Sequence, residues 1–473
     1  LKKFFILSFL AIFISKAEFA WSRAPQIDSL SSIPLGPVKA PAVSIQTLSN
    51  GMKVYLLEDH ELPLIQAFAY IRAGSIYVPA DKLGLASILG SVLRTGGTRQ
   101  KKVREIDRLL ENKGASIETG METEYGSASL NCLSKDASVL FPLFFEILSS
   151  PNFSEDQIHQ AVARKIEALK RSNDEPEKIA VREYPQLLYG KNSVWARIPS
   201  SKSLLSLTRE DLQTYHRRFY HPDRLILAIA GDFQKEEILK LLERSTEHWT
   251  KSSEPLPVVL PLEKKWEKGI YLMNKTGEQS TLLVGHFGEK RTNPDKFALI
   301  LMNYMLGGDI FSSRLGEEVR SNRGLAYSIF SKFGLDTDYG LFYAMAQTKT
   351  DSTAEVIELI EKEIRYFHEG KGLTAHSLEF AKSAILNQLM GDWDPHFGYV
   401  KERARLSYFG YPEDYLDFFQ KKLSGITLAQ VKEVAHRYLF PDQLKILVVG
   451  EGAQIEASLK KLGEVKELPL PQF

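Results

Sequence analysis

Hydrophobic positions along this chain alternate between two spacings, and the alternation predicts its elements. Met52–Asp59 (MKVYLLED) and Ile65–Gly74 (IQAFAYIRAG) are compact apolar runs that read as strands. Leu83–Leu93 and Val103–Lys113 carry apolar residues at helical spacing. Ala115–Leu133 reads as two strands around a turn near Gly120. Ser154 and Gln157 have capping-box spacing and open a long helix ending near Arg171. Farther on, Gly269–Lys275 and Ser280–Phe287 read as strands, with helices expected over 296–307 and 312–322. Antiparallel hairpins mixed with amphipathic helices imply an α+β class, each sheet carrying helices on one face.

One block of this pattern occurs twice. Thr208–Gly231 and Thr427–Gly450 align without a gap at a constant offset, sharing threonine, arginine, Pro-Asp, leucine and terminal glycine positions. Each copy reads as a threonine-capped amphipathic helix, a Pro-Asp turn and a buried strand. Thr427 and Gln430 form a capping-box pattern. Between the copies, Pro255, Pro257 and Pro261 stiffen a linker over 251–265. The chain is therefore expected to hold two homologous halves, 46–250 and 266–473.

The N-terminus reads as two lysines followed by the apolar run Phe4–Ile14, the pattern of a cleavable secretory signal over 1–20. An uncleaved anchor is the alternative reading. That run is short for a membrane span, and no other stretch is long and apolar enough, so the mature chain is expected to have no stable span. Residues 21–45 are proline-containing and read as an extended arm. The expected location is periplasmic or secreted, in a bacterium.

Sixty basic and 59 acidic residues give a formal charge of +1, without the basic footprint of a nucleic-acid binder. The single cysteine, Cys132, excludes an internal disulfide or a cysteine-rich metal site and is expected to be a small buried residue. None of the ten histidines falls in an H-E-x-x-H or H-x-x-E-H pattern. His216 and His221 straddle an expected helix end, where a surface or capping role is the reading. Asp392–His396 reads as a turn. No nucleophile elbow surrounds a serine, and no phosphate-binding glycine pattern is present.

Leu48–Gly51, Ala73-Gly74-Ser75, Gly84-Leu85-Ala86, Tyr220-His221-Pro222 and Gly324–Tyr327, in this order and with the duplication, resemble the insulinase-like (pitrilysin-type) zinc metallopeptidases. The resemblance covers roughly Leu48–Leu462 and implies the LuxS/processing-peptidase type of fold. In catalytic relatives H-x-x-E-H follows Gly-Leu-Ala. Two histidines on one helix face hold zinc, the glutamate takes a proton from metal-bound water, and a later glutamate completes the ligands. Here Ser87 and Ser91 stand at the histidine positions and Gly90 at the base. Ala168 falls at the distal ligand position, with Glu167 one residue away. Serine hydroxyls are poor zinc ligands and glycine cannot be a base, so no metal is expected in this chain.

In the second half the resemblance implies a different role. Arg320 and Tyr327 match an arginine–tyrosine pair that donates hydrogen bonds to the substrate carbonyl as it becomes an oxyanion, each such donor contributing roughly 3 kcal/mol. A local alternative pairs Arg320 with Glu317 and buries Tyr327. The resemblance thus implies a non-catalytic subunit, with zinc held by a homologous partner in a heterodimer and an extended peptide as substrate. It places the substrate edge near 116–124, where Glu118, Glu122 and Glu124 otherwise read as a solvated face. The alternatives are a peptide-binding or scaffold protein without proteolysis, or an autonomous peptidase using an unrecognised metal site.

Overall fold

A computed structural model describes residues 41–393 and 396–473. The expected signal and nearly all of the expected arm lie outside the described residues, as do 394 and 395 of the expected turn. The last two residues of the expected arm, Ser44 and Ile45, belong instead to the first strand.

Six strands form the first sheet: β1 (Ser44–Thr47), β2 (Lys53–Glu58), β3 (Leu64–Ile71), β4 (Ser116–Met121), β5 (Gly126–Leu133) and β6 (Leu225–Gly231). Their order is β1-β2-β6-β3-β5-β4. The second half contributes β7 (Gly269–Asn274), β8 (Gln279–Phe287), β9 (Glu289–Lys290), β10 (Ala326–Phe333), β11 (Leu335–Asp336), β12 (Leu341–Lys349), β13 (Lys445–Gly450) and β14 (Val465–Leu468). Its main sheet runs β10-β12-β8-β13-β7-β14, and β9 pairs with β11 apart from it. The class is α+β with mostly antiparallel ladders, as expected.

The duplicated block has a duplicated structure. Thr208 accepts from the Asp211 amide and caps helix Arg209–Phe219; Thr427 accepts from the Gln430 amide and caps Leu428–Tyr438. The strand that follows is central in both sheets. β6 lies parallel to β2 and antiparallel to β3, and β13 lies parallel to β7 and antiparallel to β8. A glycine ends both strands because a side chain would collide with the Leu64 carbonyl oxygen at Gly231 or with the Ser280 hydroxyl at Gly450. The copies differ at their outer edges: β1 joins antiparallel from the start of the described chain, whereas β14 joins parallel from its end.

Each sheet is covered on one face by helices of its own half and on the other by a helix from the opposite half. Leu225, Leu227 and Ile229 of β6 join the first-half core with Leu89, Phe144 and Leu212. The alternate residues Ile226, Ala228 and Ala230 are also buried, beneath helix His396–Tyr408. Period-two alternation makes both faces of this strand apolar, so both need a cover. Reciprocally, helix Pro176–Tyr189 of the first half lays Ile179, Ala180, Tyr184 and Leu188 on Met273, Leu283, Leu447 and Val449. Burying each large apolar side chain there contributes about 1.5–3 kcal/mol. Tyr184 donates from its hydroxyl to the Lys445 carbonyl at 3.0 Å, and Lys445 donates to the Leu187 carbonyl at 2.7 Å.

Several local expectations are corrected. The β4–β5 turn is Glu122–Tyr125, with Gly120 inside the strand. Ser154 precedes its helix without making a side-chain cap bond. The expected helix 296–307 is α-helical only over Lys296–Asn303 and continues as a π-helical turn, Tyr304–Gly308. The expected helix 312–322 contains a second π-helical turn, Gly316–Ser321. Close packing of glycines explains both wide turns: a Cβ at Gly307 would meet Ser331, and one at Gly316 would meet the Ile310 carbonyl.

Candidate functional site

Helix Leu85–Thr95 carries the three positions where the resemblance would put two histidines and a base. Its apolar face (Ile88, Leu89, Val92) packs into the first-half core. Gly90 faces the outer strand β4, whose Thr119 hydroxyl donates to the Gly90 carbonyl at 2.7 Å. The approach is so close that a Cβ on Gly90 would lie 2.8 Å from the Gly120 carbonyl carbon and 2.8 Å from the Met121 amide nitrogen. A glutamate does not fit there without moving backbone. Ser91 is exposed and its hydroxyl turns back to the Ser87 carbonyl at 3.0 Å.

The second ligand-bearing helix of the resemblance is Glu155–Arg171. Ala168 and Glu167 are both exposed, and Glu167 pairs along its own helix with Arg171 at 2.9 Å. Neither lines the cavity beside Ser87. The residue of this helix that does so is Lys165, and Arg197 lines the same cavity. Two hydroxyls, a glycine and two cationic side chains do not fit a divalent cation, so this position supports no zinc chemistry. Among the described residues no group of three or more histidine, cysteine or carboxylate side chains could hold a metal.

Arg320 and Tyr327 meet on the second sheet. The π-helical turn Gly316–Ser321 carries Arg320 and is followed by Gly324, whose positive φ of 64° suits a residue without a side chain. The chain then enters outer strand β10 at Ala326. Pairing with β12 shifts by one between Ala326 and Ser328, a bulge centred on Tyr327. A bulge re-aims a side chain, and Tyr327 is 80% exposed rather than filling the core. Arg320 donates from Nε to the Tyr327 carbonyl at 3.1 Å and stacks over Phe311 at 4.6 Å. The Asp309 carboxylate accepts the amides of Phe311 and Ser312 and so holds the loop presenting Phe311. Arg314 fastens the same segment to buried Glu363 at 2.8 Å. Arg320 and Tyr327, with Gln279, Gln347 and Lys349, line a cavity of about 480 Å³.

A larger cavity of about 610 Å³ lies where the two halves meet. It is lined by Tyr125, Tyr184, Tyr189, Trp195 and Tyr343. Glu124, expected on a solvated face, instead crosses to the second half. It pairs with Arg291 at 2.8 Å and accepts a hydrogen bond from Thr337. Glu118 and Glu122 are exposed as expected. Nothing in the local sequence marks Glu124 as different, because its partners lie far along the chain.

The histidines considered for metal binding are structural. His216 is buried, its Nε2 lies 2.7 Å from the Leu148 carbonyl, and burial lowers its pKa to about 4. Both ring nitrogens of His221 face main-chain carbonyls, of Thr250 and Arg217. His396 pairs with Asp59. Cys132 is buried in β5, and desolvation pushes its thiol up to about 12, which makes it unreactive.

Residues 53–197 match the family model described as Insulinase (Peptidase family M16), and residues 206–385 match the one described as Peptidase M16 inactive domain. The chain is 23% identical over 408 residues to an uncharacterized zinc protease, YmxG, of Bacillus subtilis, covering 86% of this chain and 98% of that one. It is 25% identical over 401 residues to a protein of Helicobacter pylori named non-peptidase homolog YmxG, covering 84% and 91%. Among solved structures, a peptidase M16 inactive domain from Pseudomonas fluorescens superposes with a TM-score of 0.80 at 24% identity, over 91% of this chain and all of that one. The periplasmic protease PqqL of Escherichia coli superposes at 0.74 with 15% identity, over 89% of this chain and 47% of its own. With both halves matched, and with the duplicated sheets in place, this chain belongs to the M16 (insulinase) peptidase family.

Proposed function

We propose that the chain is a non-catalytic subunit of a periplasmic zinc metalloendopeptidase. It supplies Arg320, Tyr327 and half of a peptide-binding chamber to a homologous, zinc-bearing partner. The observation that carries this reading is the contrast between the two sites. At the expected zinc position serines and a glycine stand where the ligands and the base would be, and contact of Gly90 with β4 leaves no room for a glutamate there. The arginine–tyrosine position keeps an exposed phenol on a strand edge beside an open cavity. A tyrosine that served only packing would be buried. In the proposed complex, the Tyr327 hydroxyl and the Arg320 guanidinium donate to the peptide carbonyl oxygen as negative charge develops, while zinc in the partner activates water. The peptide binds extended, through main-chain hydrogen bonds to an unpaired strand edge.

The test is co-purification with a homologue carrying H-x-x-E-H, followed by metal and peptidase assays on each chain and on the mixture. Activity only in the mixture, with zinc only in the partner, supports the subunit reading. Stoichiometric zinc and proteolysis in this chain alone would overturn it. A second reading, peptide binding without any proteolysis, is favoured by the aromatic lining of the cavity where the halves meet. Peptide affinity without turnover in any mixture would select it.

A further inference from the structure

Beside Ser87, one of the expected zinc-ligand positions, lies a cavity of about 230 Å³ whose lining is the opposite of a metal site. Lys165 lines it and makes no hydrogen bond or ion pair among the described residues. Arg197 lines it too. Its Nη2 donates to the Val78 carbonyl at 2.9 Å, its buried Nε has no partner, and no carboxylate pairs with it. Burial lowers the Arg197 pKa, the signature of a cation held without a counter-charge. The Ser87 hydroxyl has no partner among the described residues. Gly84 and Ala86 bring in the first turn of helix Leu85–Thr95, whose leading amides have no partner within the helix. The one carboxylate in the lining is exposed Glu122. Two cations against one carboxylate leave a single net positive charge, which suits a monovalent anion better than a phosphate dianion.

The cavity also has a direction of approach. Met121, Glu122 and Thr123, where β4 ends, form part of its wall. β4 is the outer strand of its sheet, so its far edge has no strand partner among the described residues. We propose that this cavity binds the carboxylate of an extended peptide lying along β4, through Lys165, Arg197 and Ser87. A cavity beside one of the expected zinc-ligand positions is thus an anion-binding subsite. The extended peptide rests on the peptide-binding role proposed above, which this subsite deepens, and its test needs no partner chain.

The test is binding of three peptides to the isolated chain, followed by fluorescence anisotropy at low salt. Each is a valine–threonine pentapeptide carrying a neutral N-terminal dye: the free acid, the C-terminal amide, and the amide with a central glutamate. The expected result is that the plain amide binds about tenfold more weakly than at least one carboxylate-bearing peptide. Tighter binding of the free acid assigns the subsite to a chain terminus, and tighter binding of the glutamate peptide assigns it to a side chain. Lys165→Gln should abolish the preference while leaving the unfolding temperature unchanged. Equal affinity for all three peptides, no binding of any, or a preference that survives Lys165→Gln would overturn the proposal. Because no partner or peptidase activity enters the assay, its outcome is separate from that of the subunit reading.

Discussion

Arg320 holds the main-chain carbonyl of Tyr327, seven residues away, through a 3.1 Å hydrogen bond that spans the turn at Gly324. The bond ties the end of a π-helical turn to the bulge of an outer strand, and so fixes the direction in which the phenol leaves the sheet. One Arg320 nitrogen is spent on this positioning; the remaining guanidinium nitrogens have no hydrogen-bond partner among the described residues.

The pair can be dissected without unfolding the protein. Tyr327→Phe removes a hydroxyl from an 80% exposed side chain, so stability should change by less than about 0.5 kcal/mol. In the proposed complex the same change should lower turnover roughly 100-fold, since removing one oxyanion donor typically costs 10²–10³. Arg320→Ala should do the same and also loosen Phe311. Steady-state kinetics of the reconstituted complex check this, and unchanged turnover in the double variant would remove the oxyanion role.

Restoring the metal motif should fail. The triple change Ser87→His, Gly90→Glu and Ser91→His writes H-x-x-E-H back into the helix, but the glutamate needs space held by the Gly120–Met121 backbone. Overpacking of this kind costs about 1–3 kcal/mol. Lys165 and Arg197 would then face the new ligands with like charge against the cation. Thermal unfolding should shift downward and metal analysis should find no stoichiometric zinc; a loaded, stable triple variant would refute this account of the Gly90 contact.

Acid should destabilise the fold well before its carboxylates are neutralised. Burial lowers the pKa of His216 to about 4 and of His286 to about 3, from an ordinary value near 6.5. His286 is neutral in the fold: its Nδ1 lies 2.7 Å from the Phe287 carbonyl, and its Nε2 accepts the Phe440 amide at 3.1 Å. A proton on Nε2 would destroy that acceptor. Between pH 6.5 and about 4 the unfolded chain binds protons that the folded chain refuses, so stability falls with falling pH. Each histidine contributes a slope of about 1.4 kcal/mol per pH unit in that window. Urea unfolding across this range should show the slope, and His286→Gln should reduce it by about one proton.

The two halves should not fold separately. Without helix His396–Tyr408 the alternate face of β6 (Ile226, Ala228, Ala230) is uncovered; without Pro176–Tyr189 so are Leu447 and Val449. Fragments 41–250 and 266–473 should each be insoluble or bind hydrophobic dye, and co-expression should yield a soluble pair. Two independently stable fragments would show that the exchanged helices are dispensable. Tyr184→Phe, which deletes only the bond to Lys445, should cost about 1 kcal/mol in the intact chain.

Much of this was legible in the residue pattern, and the reasons differ by scale. The duplicated Thr–helix–Pro-Asp–strand–Gly block declared two buried strands and the capped helices before them, because capping, turn chemistry and strand burial act over a few residues. That Ser87, Gly90 and Ser91 offer neither histidine nor carboxylate was equally plain once the resemblance had set them against a zinc motif, since ligand chemistry belongs to residue type. What tertiary structure alone decided was which surfaces meet. Lys165 rather than Ala168 or Glu167 lines the cavity beside Ser87, Glu124 crosses to Arg291 instead of facing water, and each half lends a helix to the other's sheet. These relationships join residues far apart in the chain. The energy that selects them comes from burying apolar faces and pairing charges in three dimensions, for which a local pattern of hydrophobic and polar positions carries no address.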